Sequence, residues 1–86
     1  MESYRLLFKR SVAKDLRSIP VADLERLLER IAHLAGNPRP PGCEKLSALE
    51  RYRIRQGRYR VIYEIRDQEL VVLVVKVAHR KDVYRR

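Results

Sequence analysis

The chain opens with Tyr4-Arg5-Leu6-Leu7-Phe8, a short apolar run with aromatic ends that reads as a β-strand. The period then lengthens. Val12, Leu16 and Ile19 recur at spacings of four and three, predicting a short helix with Ser11 as its N-cap and Pro20 either closing it or opening the next. Leu24, Leu27, Leu28, Ile31, Leu34 and Ala35 mark the apolar face of a second helix, while Glu25, Arg26, Glu29 and Arg30 occupy the polar face. Gly36-Asn37-Pro38 ends it.

Arg39-Pro40-Pro41-Gly42 can form neither a helix nor a central strand, so it is a loop leading from helices to sheet. Beyond it the period shortens to two. Tyr52 to Arg55 and Tyr59 to Ile65 alternate as a hairpin around Gln56-Gly57-Arg58, with Gly57 supplying the positive φ of a tight turn. Asp67-Gln68-Glu69 makes a second turn, and Leu70 to Val75 is an unbroken run suited to a central strand buried on both faces. The predicted order is β-α-α-β-β-β: an α+β, two-layer sandwich with an antiparallel sheet and both helices on one face. One domain, residues 1–86, accounts for the whole pattern, and the other face of the sheet is left open.

Composition narrows the setting. A hydrophobic fraction of 45% and a charged fraction of 36% suit a folded, soluble chain rather than a disordered tail. Cys43 is the only cysteine, which rules out an internal disulfide and zinc sites built on Cys pairs. The first residues carry no secretory pattern, and no apolar window approaches the ~18 residues of a membrane span, so a cytoplasmic protein without a membrane partner is expected. Net charge is +9, unevenly spread: residues 1–50 carry nine Lys/Arg against seven Asp/Glu, and residues 51–86 carry eleven against four. Gathering an excess of +7 in 36 residues costs self-repulsion, which points to a polyanionic partner.

Strand alternation shows where that charge sits. Tyr52 and Ile54 share one face with Tyr59, Val61, Tyr63 and Ile65, while four arginines, Arg53, Arg55, Arg58 and Arg60, are expected on the other. A two-residue turn at Gln56-Gly57 would set Arg53 across from Arg60 and Arg55 across from Arg58. Opposed like charges destabilise a sheet, and within the hairpin only Glu64 offers a carboxylate on that face. Such a cluster suits an anion. The guanidinium fork matches phosphate oxygens, so nucleic-acid binding is favoured over a merely solvated basic face.

Beyond the last strand, Lys76 to Tyr84 adds cations, a histidine and a tyrosine. Arg58, Lys76, His79 and Lys81 are assigned to nucleic-acid contact, although His79 read alone is an ordinary surface residue. The tyrosines at 4, 52, 59 and 63 are assigned to the core or its rim. The chain has no glycine-rich phosphate loop, no Gly-x-Ser-x-Gly elbow and no His-Glu-x-x-His motif, so no metal, cofactor or small-molecule substrate is expected.

Three stretches together resemble a known family: Lys45 to Leu49, Tyr52 to Tyr63, and His79-Arg80-Lys81-Asp82-Val83-Tyr84. They are similar to the RelE/ParE superfamily of type II toxin–antitoxin toxins, in its RelE-like branch, and Ala13-Lys14-Asp15-Leu16 and Asn37-Pro38 extend the likeness over nearly the whole chain. The resemblance implies a metal-independent, ribosome-dependent mRNA endonuclease that inhibits translation and is silenced by a cognate antitoxin protein. It places the working residues at Arg53, Arg55, Arg60, Arg80 and Tyr84. The implied reaction is attack of an mRNA 2′-hydroxyl on the adjacent phosphate, with cations stabilising the growing charge.

Arg53 and Arg55 stand where the best-known member has lysines, and a guanidinium is a poor proton acceptor. Either Tyr84 takes the proton, or the arginines only stabilise charge while the ribosome positions the hydroxyl. Ala48 replaces a glycine common in the preceding loop. Two other readings are a ParE-like inhibitor of DNA gyrase and a non-catalytic RNA-binding member.

Overall fold

A computed structural model of the chain describes residues 3–46 and 50–79. Its elements are β1 (Arg5–Phe8), α1 (Arg10–Arg17), α2 (Val21–Ala32), a 3-10 turn at His33–Ala35, β2 (Glu44–Lys45), β3 (Arg51–Gln56), β4 (Tyr59–Arg66) and β5 (Val71–His79). They form the expected α+β sandwich, with the strands in the order β1-β5-β4-β3-β2.

The sheet is mixed where an antiparallel one was expected, because β1 runs parallel to β5 while every other pair is antiparallel. Parallel pairing needs a crossover, and α1 and α2 supply it. The last ladder bond also sets where α1 begins. Lys9 N–H donates to the Val74 carbonyl at 2.8 Å, so the chain turns immediately afterwards and the helix starts at Arg10 with Lys9 as N-cap. Ser11, the expected cap, therefore lies inside the first turn. Pro20 opens α2: it is the N-cap, and its carbonyl accepts the Leu24 N–H at 2.8 Å.

Leu27, Ile31 and Leu34 are fully buried along one helical stripe, joined by Leu24. Leu28 lies at the stripe's edge and stays 38% exposed. From the sheet, Tyr52, Ile54, Val61, Tyr63, Ile65, Val72, Val74 and Val77 meet these residues and Val12 and Ile19. Each fully buried aliphatic side chain contributes roughly 1.5–3 kcal/mol through water release. The tyrosine assignment holds: Tyr52 and Tyr63 are buried, and Tyr4 and Tyr59 pack against the same core.

Two local features differ from the sequence expectation. The β3–β4 turn is Gly57-Arg58, not Gln56-Gly57, so Gln56 pairs with Tyr59, Arg55 with Arg60 and Arg53 with Ile62. Gly57, at φ +59, fills the first central position of that turn. The second turn extends through Leu70, which takes φ +53 and delays β5 to Val71. A bulge in β5 facing the Ile62/Tyr63 step sets Tyr63 opposite Val74 and Ile62 opposite Lys76.

Candidate active site

The observed register differs from the expected one by two residues in its pairing, and a shift of two leaves every side chain on its own face. Arg53, Arg55 and Arg60 therefore share the face of the sheet opposite the helices, as alternation predicted. Arg55 and Arg60 are direct cross-strand partners. Two guanidiniums directly opposite each other repel, and an acceptor placed between them would relieve the pair.

The three arginines have different surroundings. Arg60 is only 3% exposed, the one buried charged residue among the described residues, so surrounding atoms restrict its side chain. Arg55 is exposed beside it. Arg53 is half-buried and forms an ion pair with Glu44, its direct partner in the β2–β3 register.

Glu44 is the residue the sequence reading missed. Its carboxyl is held below the usual carboxylate range first by the Arg53 hydrogen bond and charge, and also by the charges of Arg55 and Arg60. One ionised carboxylate thus sits within the field of all three arginines. No strand was expected at Glu44, since β2 is two residues long and follows a Pro-Pro-Gly loop. Charge bookkeeping inside the hairpin could not have found it.

Glu64, the carboxylate that the hairpin does contain, is committed elsewhere. It accepts from Arg51 at 2.9 Å and Arg66 at 3.2 Å, at the opposite end of the same face. Burial raises its carboxyl, but the two arginines outweigh that and hold it below the ordinary range. The face is therefore divided: Glu64 meets Arg51 and Arg66 at one end, and Glu44 meets Arg53 at the other, beside the Arg55–Arg60 pair.

Three of the assigned nucleic-acid contacts, Arg58, Lys76 and His79, fall outside this cluster. Arg58, expected on the arginine face opposite Arg55, instead lies in the hairpin turn because Arg60 takes that pairing, and it lines a cleft of about 410 Å³ with Asp23, Arg26, Gln56, Gly57 and Tyr59. Lys76 pairs with Asp15 of α1 at 3.2 Å. His79 is on the helix-covered side, its ring edge-on to Tyr59 with centroids 5.5 Å apart. Arg80, Lys81 and Tyr84 lie outside the described residues, as does Ala48. Among the described residues, no three His, Cys, Asp or Glu side chains gather in a way that would hold a metal ion.

A second polar cluster anchors the loop that leads to β2. Arg39 donates to Asp67 Oδ2 at 2.9 Å and to Glu50 Oε1 at 3.4 Å, and its guanidinium lies 5.2 Å from the centre of the Tyr52 ring. The Tyr4 hydroxyl donates to Asp67 Oδ1 at 2.7 Å. This network links the loop between helices and sheet to the β4–β5 turn. It was not foreseen, because it joins residues from four distant parts of the sequence.

Comparison with known proteins bears on this geometry. Residues 6–84 match the family model described as the ParE toxin of type II toxin–antitoxin systems. Toxin RelG of Mycobacterium tuberculosis is 31% identical over 85 residues, covering 96% of this chain and 98% of the relative. The archaeal RelE–RelB complex from Pyrococcus horikoshii contains a chain that superposes with a TM-score of 0.83 at 33% identity, covering 91% of this chain and 96% of that one. The M. tuberculosis RelBE2 toxin–antitoxin complex gives a TM-score of 0.80 at 26% identity, with coverage of 91% and 99%. With its sequence matched over residues 6–84 and its fold shared with RelE chains, this protein belongs to the RelE/ParE superfamily of type II toxins.

Proposed function

We propose that the chain is a RelE-like toxin that cleaves mRNA in the ribosomal decoding site and is held inactive by a cognate antitoxin. The observation that carries the reading is the opposed pair Arg55 and Arg60 on the helix-free face, with Arg53 one alternation away. A scissile phosphate bridging that pair would meet two donor forks, one fixed by burial and one free to adjust. Both forks stabilise charge that grows on the phosphoryl oxygens as the neighbouring 2′-hydroxyl attacks. Arg80 and Tyr84 join the proposed site through family resemblance. No metal or cofactor has a role in this reaction, and its setting is the cytoplasm, where ribosomes and mRNA are found.

The antitoxin follows from the company the fold keeps, since the P. horikoshii and M. tuberculosis relatives are RelE-type chains in toxin–antitoxin complexes. The +9 net charge suits an acidic partner segment that would screen the arginine face.

The decisive experiment maps mRNA ends on purified ribosomes with the wild-type protein and with Arg55→Ala and Arg60→Ala, each variant first shown by thermal melting to be folded. Cleavage by the wild type and its loss in both variants is the expected result. Intact mRNA with the wild type would sink the nuclease reading. The matching family model is described by its ParE members, so inhibition of DNA gyrase is the second reading. A gyrase-dependent DNA damage response with undamaged mRNA would favour it, and harmless expression with salt-sensitive RNA binding would favour a non-catalytic member.

A further inference from the structure

The arginine face has an acceptor problem. Arg53, Arg55 and Arg60 remain protonated at any working pH and cannot remove a proton from a 2′-hydroxyl. His79 lies on the other side of the sheet, against Tyr59. Glu64 is engaged by Arg51 and Arg66 at the far end. Of the described side chains on this face, Glu44 alone combines an ionised oxygen with a place among the three arginines.

We propose that Glu44, delivered to the arginine cluster by β2, is the proton acceptor of the cleavage reaction. The inference rests on the nuclease reading above and deepens it. Glu44 is the direct cross-strand partner of Arg53 and is ion-paired with it, so its carboxylate and the Arg53 fork occupy one spot on the helix-free face. The charges of Arg55 and Arg60 also reach it. A phosphodiester held by the Arg55–Arg60 pair therefore lies next to a carboxylate, and the 2′-oxygen of the same nucleotide is bonded to a carbon beside the one bearing that phosphate. Glu44 is exposed, so RNA can approach it past the described residues.

Substrate binding also improves Glu44 as a base. Alone with the cations, the carboxylate is ionised but weakly basic. An incoming phosphate competes for the Arg53 fork and brings negative charge close to Glu44, and both effects raise its affinity for a proton. The carboxylate is thus ionised before the RNA arrives and more basic once it has bound. The step balances without a further reactant. The 2′-O–H proton passes to a Glu44 oxygen as the 2′-oxygen bonds to phosphorus. The bond from phosphorus to the 5′-oxygen breaks, and that oxygen takes a proton from water. Glu44 then releases its proton to water, leaving a 2′,3′-cyclic phosphate and a 5′-hydroxyl.

Two alternatives give opposite results. If Glu44 only screens the arginines, removing its charge strengthens RNA binding and leaves cleavage equal or faster. If Glu44 only positions Arg53, its loss weakens binding as well as cleavage. The test is single-turnover mRNA cleavage on purified ribosomes by the wild type and Glu44→Gln, with RNA affinity and thermal melting measured alongside. Gln keeps the shape of the side chain and an oxygen for Arg53 but has no useful basicity. The expected result is a rate loss of about 100-fold or more, with affinity unchanged or tighter and melting unchanged. A Glu44→Gln protein that cuts as fast as the wild type overturns the inference while the nuclease reading stands, and so does a rate loss matched by an equal loss of affinity. A wild type that leaves mRNA intact overturns both.

Discussion

The Tyr63 hydroxyl, at the centre of β4, donates a 2.7 Å hydrogen bond to the carbonyl of Pro38 in the loop after the helices. Tyr63 is fully buried, and its ring stacks on Tyr52 with centroids 6.0 Å apart. Burial is the largest reason its phenol is pushed well above the usual tyrosine range, so it remains a donor throughout neutral pH. Through this bond the core grips the loop that carries the chain to Glu44.

Tyr63→Phe keeps the ring and leaves the buried Pro38 carbonyl without its partner. The expected cost is about 1–3 kcal/mol. For a domain of this size each kcal/mol lowers Tm by roughly 4–8 °C, which calorimetry or a thermal melt resolves. A melting temperature within a degree of the wild type would show that the bond contributes nothing net.

The arginine face was legible because period-two alternation needs no knowledge of the partner strand. Arg53, Arg55 and Arg60 fall on one face under either turn assignment, since moving the turn from Gln56-Gly57 to Gly57-Arg58 changes the pairing by two. The choice between those turns was not legible, because Gly57 satisfies the conformational demand in both. The parallel partnership of β1 with β5 depends on how the helices cross the sheet, which no local pattern encodes. Glu44 and Arg39 were missed for a related reason. Both flank the Pro40-Pro41-Gly42 break, where periodicity ends, and both act through partners far away in sequence.

Gly57 gives a second stability prediction. Its φ is +59, and a Cβ built there meets no atom within 4 Å, so Gly57→Ala tests backbone conformation without a steric clash. An L-residue in this left-handed region costs about 1–2 kcal/mol. The variant should melt lower by that amount and, once folded, keep the Arg55–Arg60 pairing. Chemical denaturation with an unchanged slope is the measurement, since a changed slope would mean that the turn itself had rearranged.

Asp67 ties stability to pH. Its carboxyl is held below the ordinary range first by the Arg39 hydrogen bond and then by that from Tyr4. The folded pKa is thus lower than the unfolded value of ~3.9, so Asp67 contributes stability that is present above about pH 4 and lost as pH falls through the folded pKa. Glu50, lowered chiefly by Lys45, acts in the same direction. Melting temperature should fall as pH is taken from about 5 to 3, and Asp67→Asn should flatten that fall while lowering Tm at pH 7. A variant with the wild-type acid profile would mean that the Arg39 network is too well solvated to matter.

Arg55 separates phosphate binding from folding. It is exposed on β3, so its truncation opens no cavity, whereas its buried partner Arg60 cannot be removed without disturbing the packing around it. Arg55→Ala should melt no lower than the wild type, because it removes one of two opposed cations, and bind single-stranded RNA more weakly. If Arg55 holds one phosphate, the logarithmic dependence of affinity on salt should shallow by about 0.7. Arg66→Ala is the matched control, because Arg66 lies on the same sheet but pairs with Glu64 at 3.2 Å. Titrations of both variants from low to moderate salt should therefore diverge, with the slope changing only for Arg55→Ala. Equal slopes in the two would place the phosphate contacts away from the Arg55–Arg60 end of the sheet.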